Sequence, residues 1–476
     1  MTSLWRKAPQ PSSPATPGLP TGRRRSAPCR WTSRTCPEIG ATSILPGTSG
    51  LPRSACVPSS DFPMSLSLEE AQQRVVAVCK SRTPAIDTVP LQATVGRVLA
   101  EHALAAGDMP ALDNSAMDGF AVRGEDLPND GEARFQIVET LLAGHDTRHV
   151  LGAGQCMRIM TGARMPNGAD TVVIKERVRV EANFAIIGSG ERMGSNVRPR
   201  GEEMRAGQLA VECGQRIRPT HASLLASLGM DRVRVFGKPR VSIISTGDEL
   251  VMPGQPCSGA QIYNSNGFGL GALIGGADAR LNRVDGSTDG LPFRHVPDDR
   301  EQLRRALLNA ARTSDVVITS GGVSAGEADH LPGLVRELGR VHFWKVRLRP
   351  GMPFLFGEIE GTLLFCLPGN PVSSLVTFQI LVRPALRALQ GDRDIHPRWL
   401  NARLIEPVRK QHQRTEMLRG CLESGEDGTL KVRVSGRQGS AMISGMLAAD
   451  VLVEFPESAQ TLDAGQVVRV FPIQHD

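Results

Sequence analysis

Asp315-Val316-Val317-Ile318-Thr319 is a short run of mostly β-branched residues, and Ser320-Gly321-Gly322-Val323-Ser324-Ala325-Gly326-Glu327-Ala328-Asp329 follows it directly. The first five residues read as a buried strand. The next ten carry three glycines and two serines, a loop whose backbone N–H groups can face a phosphate. No Gly-Lys-Ser/Thr occurs, so this is not a P-loop, but Asp329 can hold a magnesium ion that binds phosphate. The same grammar recurs on both sides. Val241-Ser242-Ile243-Ile244-Ser245 is a strand ending in Thr246-Gly247-Asp248-Glu249-Leu250, and Leu363-Leu364-Phe365-Cys366 is a strand ending in Leu367-Pro368-Gly369-Asn370-Pro371. Helices are expected over 267–274, 301–312 and 372–389. Strands alternating with helices predict a mostly parallel sheet with covered faces, and ligands of such sheets bind at the carboxyl ends of the strands.

Outward from this α/β domain, assigned to 239–395, the pattern changes. Residues 111–203 hold short strand-like runs between Gly/Asn turns and read as a small β domain. Residues 396–476 return to short strands, such as Val451-Leu452-Val453-Glu454-Phe455, and fit a C-terminal β barrel. The segments 64–110 and 204–238 are assigned together to a discontinuous helical and extended linker domain. Its first helix starts at the capping box Ser67-x-x-Glu70, with Leu68, Ala71, Val75 and Val78 on one face. Residues 1–63, rich in Pro, Ser, Thr and Arg, read as a disordered extension or as the product of a start placed too early, with translation beginning at Met64.

The net charge of +6 misleads until it is located. Eight basic and two acidic residues within 1–63 account for all of it, so the remaining chain is formally neutral. With aromatics at 4%, nucleic-acid binding is not expected. Nine cysteines without a C-x-x-C pair argue against a zinc site and for a reducing cytoplasmic setting. No run of about 18 apolar residues is present, so no membrane partner is expected.

Several further clusters can carry chemistry. Asn370 and Ser373 lie at a helix start opened by Pro371, an anion-binding arrangement. Lys345, Arg347 and Arg349 alternate, and residues two apart on a strand share one face, so they could present positive charge to an oxyanion. Asp113-Asn114-Ser115-Ala116-Met117-Asp118 packs two acids into a short turn, and Arg158-Ile159-Met160-Thr161-Gly162-Ala163 follows. Arg198 and Arg200, before Gly201-Glu202-Glu203, could clamp an acidic ligand.

Taken with Tyr263-Asn264-Ser265-Asn266 and Phe343-Trp344-Lys345, these motifs in this order resemble the MoeA family of molybdopterin molybdenumtransferases, which includes the E domain of gephyrin-type proteins. The resemblance runs from about Met64 to Phe471. It implies an elongated homodimer of four-domain subunits that inserts molybdate into adenylylated molybdopterin and releases AMP, with the molybdopterin adenylyltransferase and molybdoenzymes as partner proteins. Carried over, Glu249, Asp298 and Asp329 would surround Mg2+ and the adenylyl phosphates. Asp118 and Thr161 would reach the reacting groups across the dimer interface. Asn266, Gly321, Gly322 and Ser324 would hold the nucleotide end, and Arg349 and Ser373 would dock molybdate. Such chemistry needs charge neutralisation and alignment more than a covalent nucleophile. Competing readings are a molybdopterin adenylyltransferase, which shares the α/β domain, and a gephyrin-like scaffold or divergent paralogue without turnover.

The sequence departs from the family pattern at three places. Arg349-Pro350-Gly351-Met352-Pro353 stands where the family has Lys-Pro-Gly-Lys-Pro, so Met352 removes one charge. Residues 284–294 are additional, just before Asp298-Asp299. Phe120 replaces a tyrosine.

Overall fold

A computed structural model of the chain describes residues 64–282, 293–324, 329–396 and 398–473. The extension 1–63, most of 284–294 and residues 325–328 of the glycine-rich loop lie outside the described residues.

The strand Arg240–Thr246 sits inside an eight-stranded sheet. It pairs in parallel with Arg280–Leu281, Arg294–Val296 and Val316–Ser320, and the last of these pairs in parallel with Thr362–Leu367. Beyond Thr362–Leu367 the sheet turns mixed, because Leu355–Ile359 runs antiparallel to both its neighbours, Thr362–Leu367 and Gly339–Val346. The three central strands are buried along almost their whole length, which is why they read as continuous apolar runs rather than alternating ones. Helices Asn266–Gly276, Arg300–Thr313, Leu331–Leu338 and Pro371–Thr377 cover the faces. Phe343, Phe354, Phe356 and Phe365 pack as a ring ladder, so the few aromatics are concentrated where a core needs volume. The stretch expected as one helix over 372–389 contains a π turn, Phe378–Val382, between Pro371–Thr377 and Arg383–Leu389. Its 19 residues would be long enough to cross a membrane, but 78% of them is buried inside this core.

The first helix corrects one assignment. Ser67 Oγ accepts from the Glu70 N–H at 3.2 Å while the Glu70 carboxylate accepts from the Ser67 N–H at 2.8 Å, the expected capping box. Yet Leu68–Lys80 does not belong with the linker. Leu68, Ala71, Val75 and Cys79 are buried against the α/β core, and Met64–Leu66 adds a parallel edge strand beside Gly339–Val346. An amphipathic helix specifies that it must be covered, not by what. The rest of the linker is built from both flanks of the β domain: Ile86–Pro90 pairs with Arg232–Phe236 and Ala103–Leu104 with Leu209–Val211, over a core of Leu99, Val211, Ile217, Leu225 and Val235.

In the β domain six strands form one sheet in the order Thr171–Ile174, Gly119–Val122, Gln155–Ile159, Glu132–Leu141, Phe184–Gly188, Val178–Glu181, with a small core on each face. At the carboxyl end of the chain, Thr415–Ser424, Leu430–Val434, Leu400–Leu404, Val467–Pro472 and Val451–Phe455 pair in a ring that closes back on Thr415–Ser424. That is a five-stranded barrel. Leu348–Arg349 adds to it in parallel, so the chain passes from the α/β sheet onto the barrel wall between Val346 and Leu348.

Candidate active site

Three strand ends of the α/β sheet meet. Gly321 has φ +98°, and a Cβ there would lie 2.5 Å from the Thr246 carbonyl oxygen. A Cβ on Gly369 would lie 3.7 Å from the Gly321 Cα. The loops after Arg240–Thr246, Val316–Ser320 and Thr362–Leu367 are therefore in backbone contact, and glycine is what permits it. Asn266 ties the last two together. Its Nδ2 donates to Ser320 Oγ at 2.8 Å and to the Gly369 carbonyl at 2.7 Å. Asn266 is itself set by the turn before its helix, where Asn264 Oδ1 accepts from the Gly267 N–H at 3.0 Å.

The acidic residues stand at the rim of this junction. Thr246 Oγ1 donates to Asp298 Oδ1 at 2.8 Å, and the Asp298 N–H donates to Asp248 Oδ1 at 3.0 Å. Asp299 accepts instead from the Gln302 N–H at 2.7 Å as the cap of Arg300–Thr313. Asp298 thus faces the end of the strand Arg240–Thr246, and Asp299 is the helix cap. Glu249 follows in the turn whose Gly247 carbonyl contacts His295 Nε2 at 2.9 Å. The expected metal set is not preassembled: among the described residues no three His, Cys, Asp or Glu side chains gather closely enough to hold an ion. Magnesium usually takes only one or two carboxylates, with waters and substrate phosphates completing its shell. The donor chemistry of Asp298 and Glu249 fits that use.

Asn370 Nδ2 donates to Ser440 Oγ at 3.1 Å and the Val372 N–H to the Ser440 carbonyl at 3.1 Å, so a loop of the barrel closes on this helix start. Ser373 is buried in the first turn of that helix, and Ser324 is exposed.

The cationic trio does not share a face. Lys345 has φ +69° within the strand Gly339–Val346, and its Nζ lies 4.7 Å from the Trp344 ring. Arg347 donates to Glu457 at 2.7 Å and to the Ser65 carbonyl at 2.6 Å, a structural tie. Arg349, already on the barrel wall, pairs through Nε with Glu416 at 3.3 Å. The period-two argument fails because the chain changes sheets within it. Met352 lies 3.6 Å from Arg414 Nη1, a cation that no motif places there.

In the β domain the two predicted residues do meet. Asp118 Oδ1 accepts from Thr161 N–H at 2.9 Å and from Thr161 Oγ1 at 2.8 Å, and Lys175 Nζ stands 3.5 Å from Oδ2. The Thr161 amide, followed by its hydroxyl and by Lys175, holds the Asp118 carboxyl below its ordinary range. Sequence reasoning missed Lys175, since a single lysine after Thr171–Ile174 carries no motif. Arg198 pairs in register with Asn114, and Arg200 is engaged by Asp108 at 2.5 Å and, through its N–H, by Asp113 at 2.6 Å. Arg200 therefore braces this domain rather than offering an open clamp. No hydrogen bond or ion pair among the described residues joins the Asp118 group to the strand-end loops.

Comparison with known proteins gives one answer. Three family models match in order: "MoeA N-terminal region (domain I and II)" over residues 66–229, "Probable molybdopterin binding domain" over 242–388, and "MoeA C-terminal region (domain IV)" over 401–473. The molybdopterin molybdenumtransferase of Haemophilus influenzae is 33% identical over 412 residues, covering 86% of this chain and 99% of its own length. That of Staphylococcus aureus is 32% identical over 416 residues, with 86% and 96% covered. Two structures of the molybdopterin biosynthesis MoeA protein from Pyrococcus horikoshii superpose with TM-scores of 0.71 and 0.72, at 31% and 26% identity. Each covers 86% of this chain and 100% of that one.

Proposed function

This chain belongs to the MoeA family of molybdopterin molybdenumtransferases and is a transferase, and from that premise we propose that it loads molybdate onto adenylylated molybdopterin and releases AMP. The observation that carries the proposal is the Asn266 bridge between Ser320 and Gly369, which ties two strand ends together while Gly321 brings the third, at Thr246, into backbone contact, a cradle at the place where an open parallel sheet binds its ligands. The Gly321 and Gly322 backbone and the start of Pro371–Thr377 receive the phosphate and pterin end. Magnesium, when bound, neutralises charge on the adenylyl phosphates, and Glu249, Asp298 and Asp329 are the carboxylates that would hold it. Arg349 and Ser373 take the molybdate end, and Arg414 supplies a cation beside Met352 where the family has a lysine.

Asp118, Thr161 and Lys175 form a polar group with no hydrogen bond or ion pair to that cradle among the described residues. We assign them to the cradle of a second subunit, which makes the working unit a homodimer. A reducing cytoplasmic setting is part of this reading, and the six described cysteines are all free. Domains matched on both sides of the α/β unit favour insertion over adenylylation, which needs the α/β unit alone.

Asn266→Ala tests the cradle. It removes two hydrogen bonds at a partly exposed position, so folding should be little affected while adenylylated molybdopterin binds at least about tenfold more weakly, roughly 1.4 kcal/mol. Titration calorimetry on both proteins decides it, and equal affinities would mean that the ligand sits elsewhere.

A further inference from the structure

We propose that His412 is a positioning residue for the oxyanion end of the site: it shares the Glu416 carboxylate with Arg349, and its charge sets how much of the Arg349 guanidinium is left for a bound oxyanion. This rests on the reading that Arg349 docks molybdate.

Glu416 is only 8% exposed and has two claimants. Its Oε1 lies 3.3 Å from Arg349 Nε and its Oε2 lies 3.2 Å from His412 Nε2. The first contact is fixed by the main chain, since Arg349 and Glu416 are partners in the parallel pairing that carries the chain onto the barrel. The second is fixed by a pinned strap. Lys410 Nζ donates to the Arg414 carbonyl at 2.6 Å and to the Pro456 carbonyl at 2.5 Å, with the Phe455 carbonyl at 3.4 Å. His412 sits in the middle of that strap. Both its ring nitrogens are buried and neither makes a hydrogen bond among the described residues, so the approach to Glu416 is close but not aligned. A polar group held this way has a strong contact to gain when it becomes charged.

The charged groups facing His412 are Glu416 from the barrel strand, Arg349 from the strand beside it, and Arg414 and Lys410 from the strap itself. Burial opposes a charge on the ring, Glu416 favours it, and the three cations oppose it, which leaves the imidazole titrating below its ordinary range. At pH 8 it is neutral and Glu416 is given over to Arg349. As the pH falls through its titration the imidazolium draws on the same carboxylate, Arg349 is less compensated, and an oxyanion should bind it more tightly.

The test is equilibrium binding of micromolar molybdate to the full chain between pH 8 and pH 5.5. Wild type is expected to gain about fivefold or more in affinity on acidification, the low end of ordinary site-to-site coupling. H412Q should bind as wild type does at pH 8 and fail to gain, and E416Q should bind tightly at both ends of the range. These two variants share the probe's own protonation with wild type, so it cancels. A folded H412Q that keeps the full gain overturns the proposal while leaving Arg349 as the oxyanion cation. An R349A variant that binds molybdate as wild type does overturns the reading beneath it.

Discussion

Gly321→Ala is expected to remove about 99% of kcat/KM while leaving the chain folded. Gly321 has φ +98°, where an L side chain already costs roughly 1–2 kcal/mol. The new methyl would also sit 2.5 Å from the Thr246 carbonyl oxygen, a backbone atom in the middle of the sheet that cannot turn aside. The loop has to move instead. Thr246 holds Asp298, and Ser320, one residue before the substitution, receives the Asn266 bridge. A shift there misplaces the phosphate cradle and a carboxylate together. Losing 100-fold corresponds to about 2.7 kcal/mol of transition-state stabilisation, modest for a displaced backbone. Steady-state kinetics beside a thermal melt separate the two effects, and a variant within about threefold of wild type would show that this loop does not touch the reacting groups.

The second large effect is expected at Asp118. Asp118→Asn preserves shape and removes charge. The wild-type carboxylate accepts from the Thr161 N–H and hydroxyl and faces Lys175, contacts that keep it ionised well below neutral pH. Because the folded-state value is lowered, the charge is fully present above the ordinary carboxylate range and is lost only in stronger acid. The wild-type rate should therefore show no Asp118 limb between pH 5 and pH 8. In the variant kcat should fall about 10²- to 10³-fold, the scale of removing one preorganised electrostatic partner, and fall equally across that range. The melting temperature should move little, since the side chain is half-exposed and asparagine keeps its shape. Retention of more than a third of wild-type kcat would remove Asp118 from the reacting machinery.

Legibility in the sequence followed the range of the forces involved. Val241–Ser245, Val316–Thr319 and Leu363–Cys366 were readable because burial on both faces leaves continuous apolar runs, and the glycines after them mark where backbones must approach. The Ser67–Glu70 capping box was readable because it is complete within four residues. What covers Leu68–Lys80 was not, since any apolar surface satisfies the same stripe. The alternation of Lys345, Arg347 and Arg349 misled because the chain leaves the α/β sheet after Val346 and joins the barrel at Leu348, and a period-two pattern carries no mark of that. Asp118 and Thr161 were found through their motifs, whereas Lys175, Arg414 and Ser440 reach the site from segments that only tertiary structure brings near. Glu249 and Asp329 were legible as acids in turns after buried strands, whereas Asp298 was chosen by resemblance. Asp298 lies beside Thr246, and no three-ligand cluster exists among the described residues.

Coupling of molybdate to cleavage of an adenylylated pterin is the reaction proposed for this chain. The measurement that tests it most directly is chromatographic detection of AMP after the protein is mixed with adenylylated molybdopterin and Mg2+, with and without molybdate. The account predicts AMP release that depends on molybdate and is lost in Asp329→Ala. Release at the same rate without molybdate, or none while the nucleotide stays bound, would contradict it.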